Sequence, residues 1–164
     1  MVTLVESIDI NAAYAKLHSW VNNLENEFVL WSPYHTKFEL TDHSTTVGSR
    51  LRFTELVEGL EYDISGIIIE NHEKDGYFRF KFRNDNNTAV ITFEGIQTQS
   101  GCRFTHTEEF GVRTKLIGTI VNFLLFKVLF KKKANWRLIQ DDMIRDNLYL
   151  KTILEEDRSP SKQK

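Results

Sequence analysis

The sequence predicts an α+β fold: a seven-stranded curved antiparallel sheet wrapped around a long C-terminal helix, with two short helices after the first strand. Three observations carry that prediction. From Lys37, about 75 residues alternate apolar and polar side chains with a period of two, the pattern of half-buried strands. The breaks in this run are short and rich in Asp, Asn, Ser and Gly, which makes sequential hairpins and leaves no room for parallel crossovers. Near the C-terminus Trp136, Ile139, Met143, Leu150, Ile153 and Leu154 form one apolar stripe at helical spacing.

The elements follow in order. Val2, Leu4, Ile8 and Ile10 alternate with polar neighbours and open the sheet. Asn11 is suited to cap a helix carrying Ala12, Ala13, Ala15, Leu17 and Trp20. A second helical piece covers 23–28, and Pro33 then interrupts the chain. Strands are expected at 37–43, 47–57, 60–72, 76–84, 88–98 and 102–112. Asp42-His43-Ser44, Glu58-Gly59, Lys74-Asp75-Gly76, Asn84-Asp85-Asn86-Asn87 and Gln99-Ser100-Gly101 supply the turns. Residues 115–156 are expected to be helical, with a kink or a separate segment around 130–134, and to pack across the apolar face of the sheet. Residues 1–156 read as a single domain and 157–164 as a disordered tail.

Composition removes several function classes. A length of 164 residues, with 41% hydrophobic and 27% charged side chains, belongs to a globular chain with a real core. A net charge of −2 argues against general nucleic-acid affinity, which needs a basic surface. Cys102 stands alone, so the chain has neither a disulfide framework nor a cysteine zinc site, and a cytoplasmic location is expected. The first ten residues lack the basic flank and continuous apolar core of a secretory signal. There is no Gly-rich phosphate loop, no Gly-x-Ser-x-Gly elbow and no His-Glu-x-x-His, which sets nucleotide-dependent chemistry and serine hydrolysis aside. Residues 116–130 are apolar almost all round and are followed by Lys131, Lys132 and Lys133. As a helix they reach only about 22 Å, short of the roughly 30 Å hydrocarbon core, so no transmembrane segment is expected. They would be covered by the early strands or by a second copy in a homodimer; a lid over a cavity and a peripheral membrane contact are the other readings.

Strand parity nominates an interior. Phe78, Phe80 and Phe82 share one face, against Tyr77, Arg79, Lys81 and Arg83 on the other. Cys102, Phe104 and Phe110 share a face with His106 and Glu108, and Leu51, Phe53 and Val57 with Glu55. Asp146 falls in the middle of the apolar helix stripe, with Asp142 one turn earlier near its edge. Inward acids and histidines are costly unless paired, hydrogen-bonded or wet. They therefore either line a cavity and handle a ligand, proton or metal, or are structural groups facing water or an ion partner such as Arg79 or Arg103.

The order of elements resembles the START-like superfamily, the helix-grip fold of polyketide cyclases and birch-allergen-like proteins. "VESIDINAAYAKLHSWVNNLENEFVLWSPY" is similar to the family opening, "VGSRLRFTELVEG" to its Gly-initiated third strand, and "MIRDNLYLKTILEE" to its closing helix. The fold hosts binders, carriers and enzymes, so the resemblance speaks to fold more than to function. Trp31-Ser32-Pro33-Tyr34-His35 is also similar to the Trp-x-Pro loop that supplies a metal-ligand His in zinc-dependent phloretin and diacetylphloroglucinol hydrolases. That resemblance implies a metal set of His35, Glu55 (or Glu58) and Asp142, with Leu138 standing where the family has its second His. The other reading of His35 is a loop histidine bonded to backbone beside Trp31.

The leading expectation is binding or carrying of a small hydrophobic or aromatic molecule in an internal cavity walled by Trp31, Phe53, Tyr62, Phe80, Phe82, Phe93, Phe104 and Met143. No cofactor is required for that. The alternative is a cyclase- or hydrolase-like enzyme acting on polyketide-like or acylated aromatic substrates. Its acid–base groups would be His106, Glu108 and Asp146, or zinc or another divalent metal at His35 would assist. A protein-interaction module, monomeric or homodimeric, is the third reading.

Overall fold

The computed structural model describes residues 1–57, 60–111 and 133–156. One antiparallel sheet contains β1 (Val2–Ile10), β2 (His35–Leu40), β3 (Arg50–Val57), β4 (Leu60–Lys74), β5 (Tyr77–Asn84), β6 (Ala89–Thr98) and β7 (Gly101–Phe110). Its strand order is β1-β7-β6-β5-β4-β3-β2. Hairpins carry the chain from β2 to β7 one neighbour at a time, and the last strand closes against the first. Between β1 and β2 lie α1 (Tyr14–Asn22) and α2 (Leu24–Trp31), and α3 (Lys133–Glu155) follows the sheet. Among the described residues no helix is long and apolar enough to cross a membrane.

Three local expectations are corrected. Asn11 does not cap α1: Ala13 holds that position without a side-chain bond, while the Asn11 N–H donates to Glu155 Oε1 at 2.6 Å. The second helix runs on to Trp31, three residues past the expected end. The second strand begins at His35 instead of Lys37, and its register shifts between them. That bulge is hard to read in a sequence because it breaks the period-two pattern where one strand gains a residue. The apolar segment 116–130 and the tail 157–164 lie outside the described residues. Of the break expected around 130–134, only residues 133 and 134 are described, and both are helical.

Helix α3 is tied to the edge strand β1 along its length. Gln140 donates to Glu6 Oε1 at 2.6 Å, Lys151 donates to the Asp9 carbonyl at 2.7 Å, and Glu155 takes the Asn11 N–H. Both elements therefore run in the same direction, and the helix stripe faces the inner side of the sheet. There Met143 and Leu150 are fully buried. Helices α1 and α2 contribute Leu17, Trp20, Val21, Leu24, Phe28 and Trp31 to the same core. Trp20 meets Trp31 and Phe104 edge-on at 4.9 and 5.6 Å, a geometry the ring quadrupoles favour. Gly95 fits this packing because a Cβ there would stand 2.1 Å from Phe78 Cε1. The sheet interior thus comes close to its helices on one side and leaves space further along, where the polar groups lie.

Candidate functional site

Cross-strand register builds the site in two rows. Tyr62, Glu55 and His35 are successive partners across β4, β3 and β2. Phe82, Ile91 and Glu108 are successive partners across β5, β6 and β7, and Phe93 pairs with His106 beside them. Since partners share a face, these rows aim Glu55, Glu108 and both histidines at the same interior. Helix α3 then lowers Asp142 and Asp146 onto it, one turn apart.

His35 is buried and stacked on Phe28, with centroids 4.1 Å apart. Its Nδ1 lies 3.1 Å from the Phe28 carbonyl, which can only accept, so the proton sits on Nδ1. Its Nε2 then faces Asp146 Oδ2 at 3.2 Å. Two lone pairs would repel there, so this contact requires one further proton. One proton is shared between the ring nitrogen and the carboxyl. The Trp31 indole N–H donates to the Asp146 carbonyl at 2.7 Å and fixes the helix turn that presents the acid. Asp146 therefore meets His35 and not Arg79 or Arg103. Those arginines lie on the outer face, where Arg79 approaches Glu94 and Glu70 and Arg103 is bonded to Asp9.

Glu55 Oε2 lies 4.0 Å from His35 Nε2. Burial, then the negative charges of Glu108 and Asp146, push its carboxyl up to about 8, so it holds a proton at neutral pH. His106 is 5% exposed, and neither ring nitrogen completes a hydrogen bond, although Nε2 stands 3.3 Å from Glu108 Oε1. Asp142 is ion-paired with Arg145, whose guanidinium lies over the Tyr34 ring at 4.2 Å.

These groups surround two adjoining spaces. The inner one, about 20 Å³, is lined by Phe28, Trp31, His35, Phe53, Glu55, Phe82, Ile91, Phe93, His106, Glu108, Asp142, Met143 and Asp146. That is room for about one water molecule. The outer one, about 170 Å³, is lined by Glu55, Tyr62, Ile64, Phe82, Asn84, Ala89, Ile91, Glu108, Phe110, Ile139 and Asp142. Glu55, Phe82, Ile91, Glu108 and Asp142 belong to both walls. Phe80 and Phe104 are buried in the core and line neither space, and Tyr62 stands at the outer wall, 45% exposed. Ile91, Ile139 and Phe110 are walls that the sequence pattern does not single out, although Ile91 shares strand parity with Phe93.

Among the described residues, no group of three or more His, Cys, Asp or Glu is placed to hold a metal ion. The set His35, Glu55 and Asp142 does not fit one: Arg145 occupies Asp142, and the acid at His35 is Asp146.

No family model and no curated protein matches the sequence. Solved structures do match in shape. Ginseng major latex-like protein 151 from Panax ginseng superposes with a TM-score of 0.67 at 11% identity, covering 94% of this chain and 98% of that one. The Thermus thermophilus protein TTHA0849 gives 0.64 at 15% identity, covering 93% and 97%. The Polyketide_cyc-like protein Cgl2372 from Corynebacterium glutamicum gives 0.56 at 16% identity, covering 99% and 96%. With its sheet order, its paired short helices and its closing helix, the chain has the START-like, helix-grip fold shared by birch-allergen-like and polyketide-cyclase-like proteins.

Proposed function

We propose that the chain binds a small hydrophobic or aromatic ligand, about one ring in size, in the outer cavity. The observation that carries this is the cavity itself: about 170 Å³ of space with Phe82, Ile91, Phe110, Ile64 and Ile139 along its walls and hydrogen-bonding groups at one end. An apolar cavity of about 150 Å³ accommodates benzene, so the volume sets the ligand's size. Apolar burial would supply most of the affinity and the polar end its orientation. For about eight heavy atoms at roughly 0.6 kcal/mol each, Kd falls on the order of 0.1–1 mM. Calorimetry with benzyl alcohol tests the reading. Saturable binding that Ala89→Phe abolishes by filling the outer cavity is expected; no saturable heat with the wild-type protein would overturn it.

A second reading is favoured by one observation. Glu55 holds a proton beside His106, whose ring nitrogens are unpartnered, so an acid and a base stand against the same space. This supports an enzyme that protonates and deprotonates such a ligand, cyclase- or hydrolase-like in its chemistry. Turnover of an acylated phenol that survives both Glu55→Gln and His106→Ala undiminished would remove it.

A further inference from the structure

We propose that the ligand is a hydrophobic amine, bound as its ammonium against Glu55 and Glu108 with its apolar body along Phe82, Ile91 and Phe110. The inference rests on the cavity reading above and names its ligand class. Among the described residues, the outer wall carries three acids, Glu55 of β3, Glu108 of β7 and Asp142 of α3, and no Lys, Arg or His. Asp142 is answered by Arg145. Among the described residues Glu55 has only His35, at 4.0 Å, and that imidazole is committed to Asp146 at 3.2 Å. Glu108 has His106 at 3.3 Å without a completed hydrogen bond. Among the described residues no Lys or Arg pairs with these two acids, and an ammonium would take that place.

A second, independent observation lies in the adjoining inner space. Asp146 is 4% exposed and His106 5% exposed, yet Asp146 Oδ1 and both His106 ring nitrogens lack hydrogen-bond partners. Asp146 Oδ1 accepts, and a neutral His106 ring adds one acceptor and one donor, so acceptors outnumber donors among these three atoms. An ammonium offers three donors and no acceptor, the complementary set. A ligand carboxylate or phosphate would stand against the Glu108 and Asp142 carboxylates, so an anion is the disfavoured class. The titratable groups facing Glu55 are His35 of β2, Tyr62 of β4, His106 and Glu108 of β7, and Asp142 and Asp146 of α3. Because Glu55 holds its proton to about pH 8, an ammonium beside it displaces that proton on binding at pH 7.

The test compares benzylamine, benzyl alcohol and benzoate by calorimetry at pH 7, each in phosphate and in Tris. Benzylamine is expected to bind roughly tenfold or more tightly than benzyl alcohol, with roughly one proton released per ligand, while benzoate gives no saturable heat. Glu108→Gln is expected to remove most of benzylamine's advantage over benzyl alcohol, both measured on the same variant. Benzyl alcohol binding as tightly as benzylamine, or benzylamine binding without proton release, overturns the amine assignment and leaves the cavity reading standing. Failure of all three probes on the wild-type protein overturns both.

Discussion

Replacing Glu55 by Gln should stabilise the protein, and by an amount that grows with pH. In the unfolded chain a glutamate titrates near 4.5, whereas in the fold Glu55 is pushed up to about 8 by burial and by Glu108 and Asp146. Between those two values the folded state holds a proton that the unfolded state has released, so stability falls as pH rises through that window. Above about pH 8 both states are ionised and the loss levels off. At about 1.4 kcal/mol per pH unit, the interval amounts to about 5 kcal/mol when complete and about 3 kcal/mol at pH 7. These are upper values, because Glu55 retains 23% side-chain exposure and water can screen it. The amide of Gln fills the same space without a charge, so the variant escapes the loss. Urea unfolding of both proteins at pH 4.5, 7 and 9 reads the effect directly. The variant should match the wild type at pH 4.5 and exceed it at pH 7 and 9. A difference that stays constant across this range would refute the reasoning, since it would mean that Glu55 titrates alike in both states.

Other predictions concern single contacts. Asp146→Ala leaves His35 Nε2 unpaired and should cost about 3 kcal/mol, while Asp146→Asn should cost within about 1 kcal/mol because its amide can donate to that nitrogen; equal losses in urea unfolding would contradict the shared proton. Gly95→Ala drives a methyl into Phe78, 2.1 Å away, and should lower Tm by several degrees; an unchanged melting curve would show that the ring moves freely. Cys102 is 1% exposed and burial pushes its thiol up to about 11, so a thiol reagent at pH 8 should modify it only as fast as the chain opens. Immediate labelling of the native protein would place the thiol at the surface instead.

The fold was legible because the strands alternate cleanly and their turns announce themselves. Phe78, Phe80 and Phe82 all face the core, as their spacing required, and His106 lies on the same buried face as Cys102 and Phe104. The chemistry of the cluster was less legible. Asp146 stood out as an acid inside an apolar helix stripe, but its partner lies 111 positions away on β2, and no local pattern encodes that meeting. The bulge after His35 adds to the difficulty, because parity alone does not carry a side chain's direction across a register shift. Aromatic content misled in its own way: Phe80 and Phe104 share faces with cavity residues, yet they pack behind the two spaces. Parity reports which face a residue takes, whereas a cavity depends on how far along the strand the helices stop filling the sheet.

The most direct test of the account is an amide NMR titration of the protein with benzylamine. Saturable shifts centred on Glu55, Ile91, Glu108 and Asp142, and absent from the open polar face around Glu25 and His43, are predicted. Shifts that never saturate, or that centre away from those four residues, would contradict a ligand-binding cavity at this place in the fold.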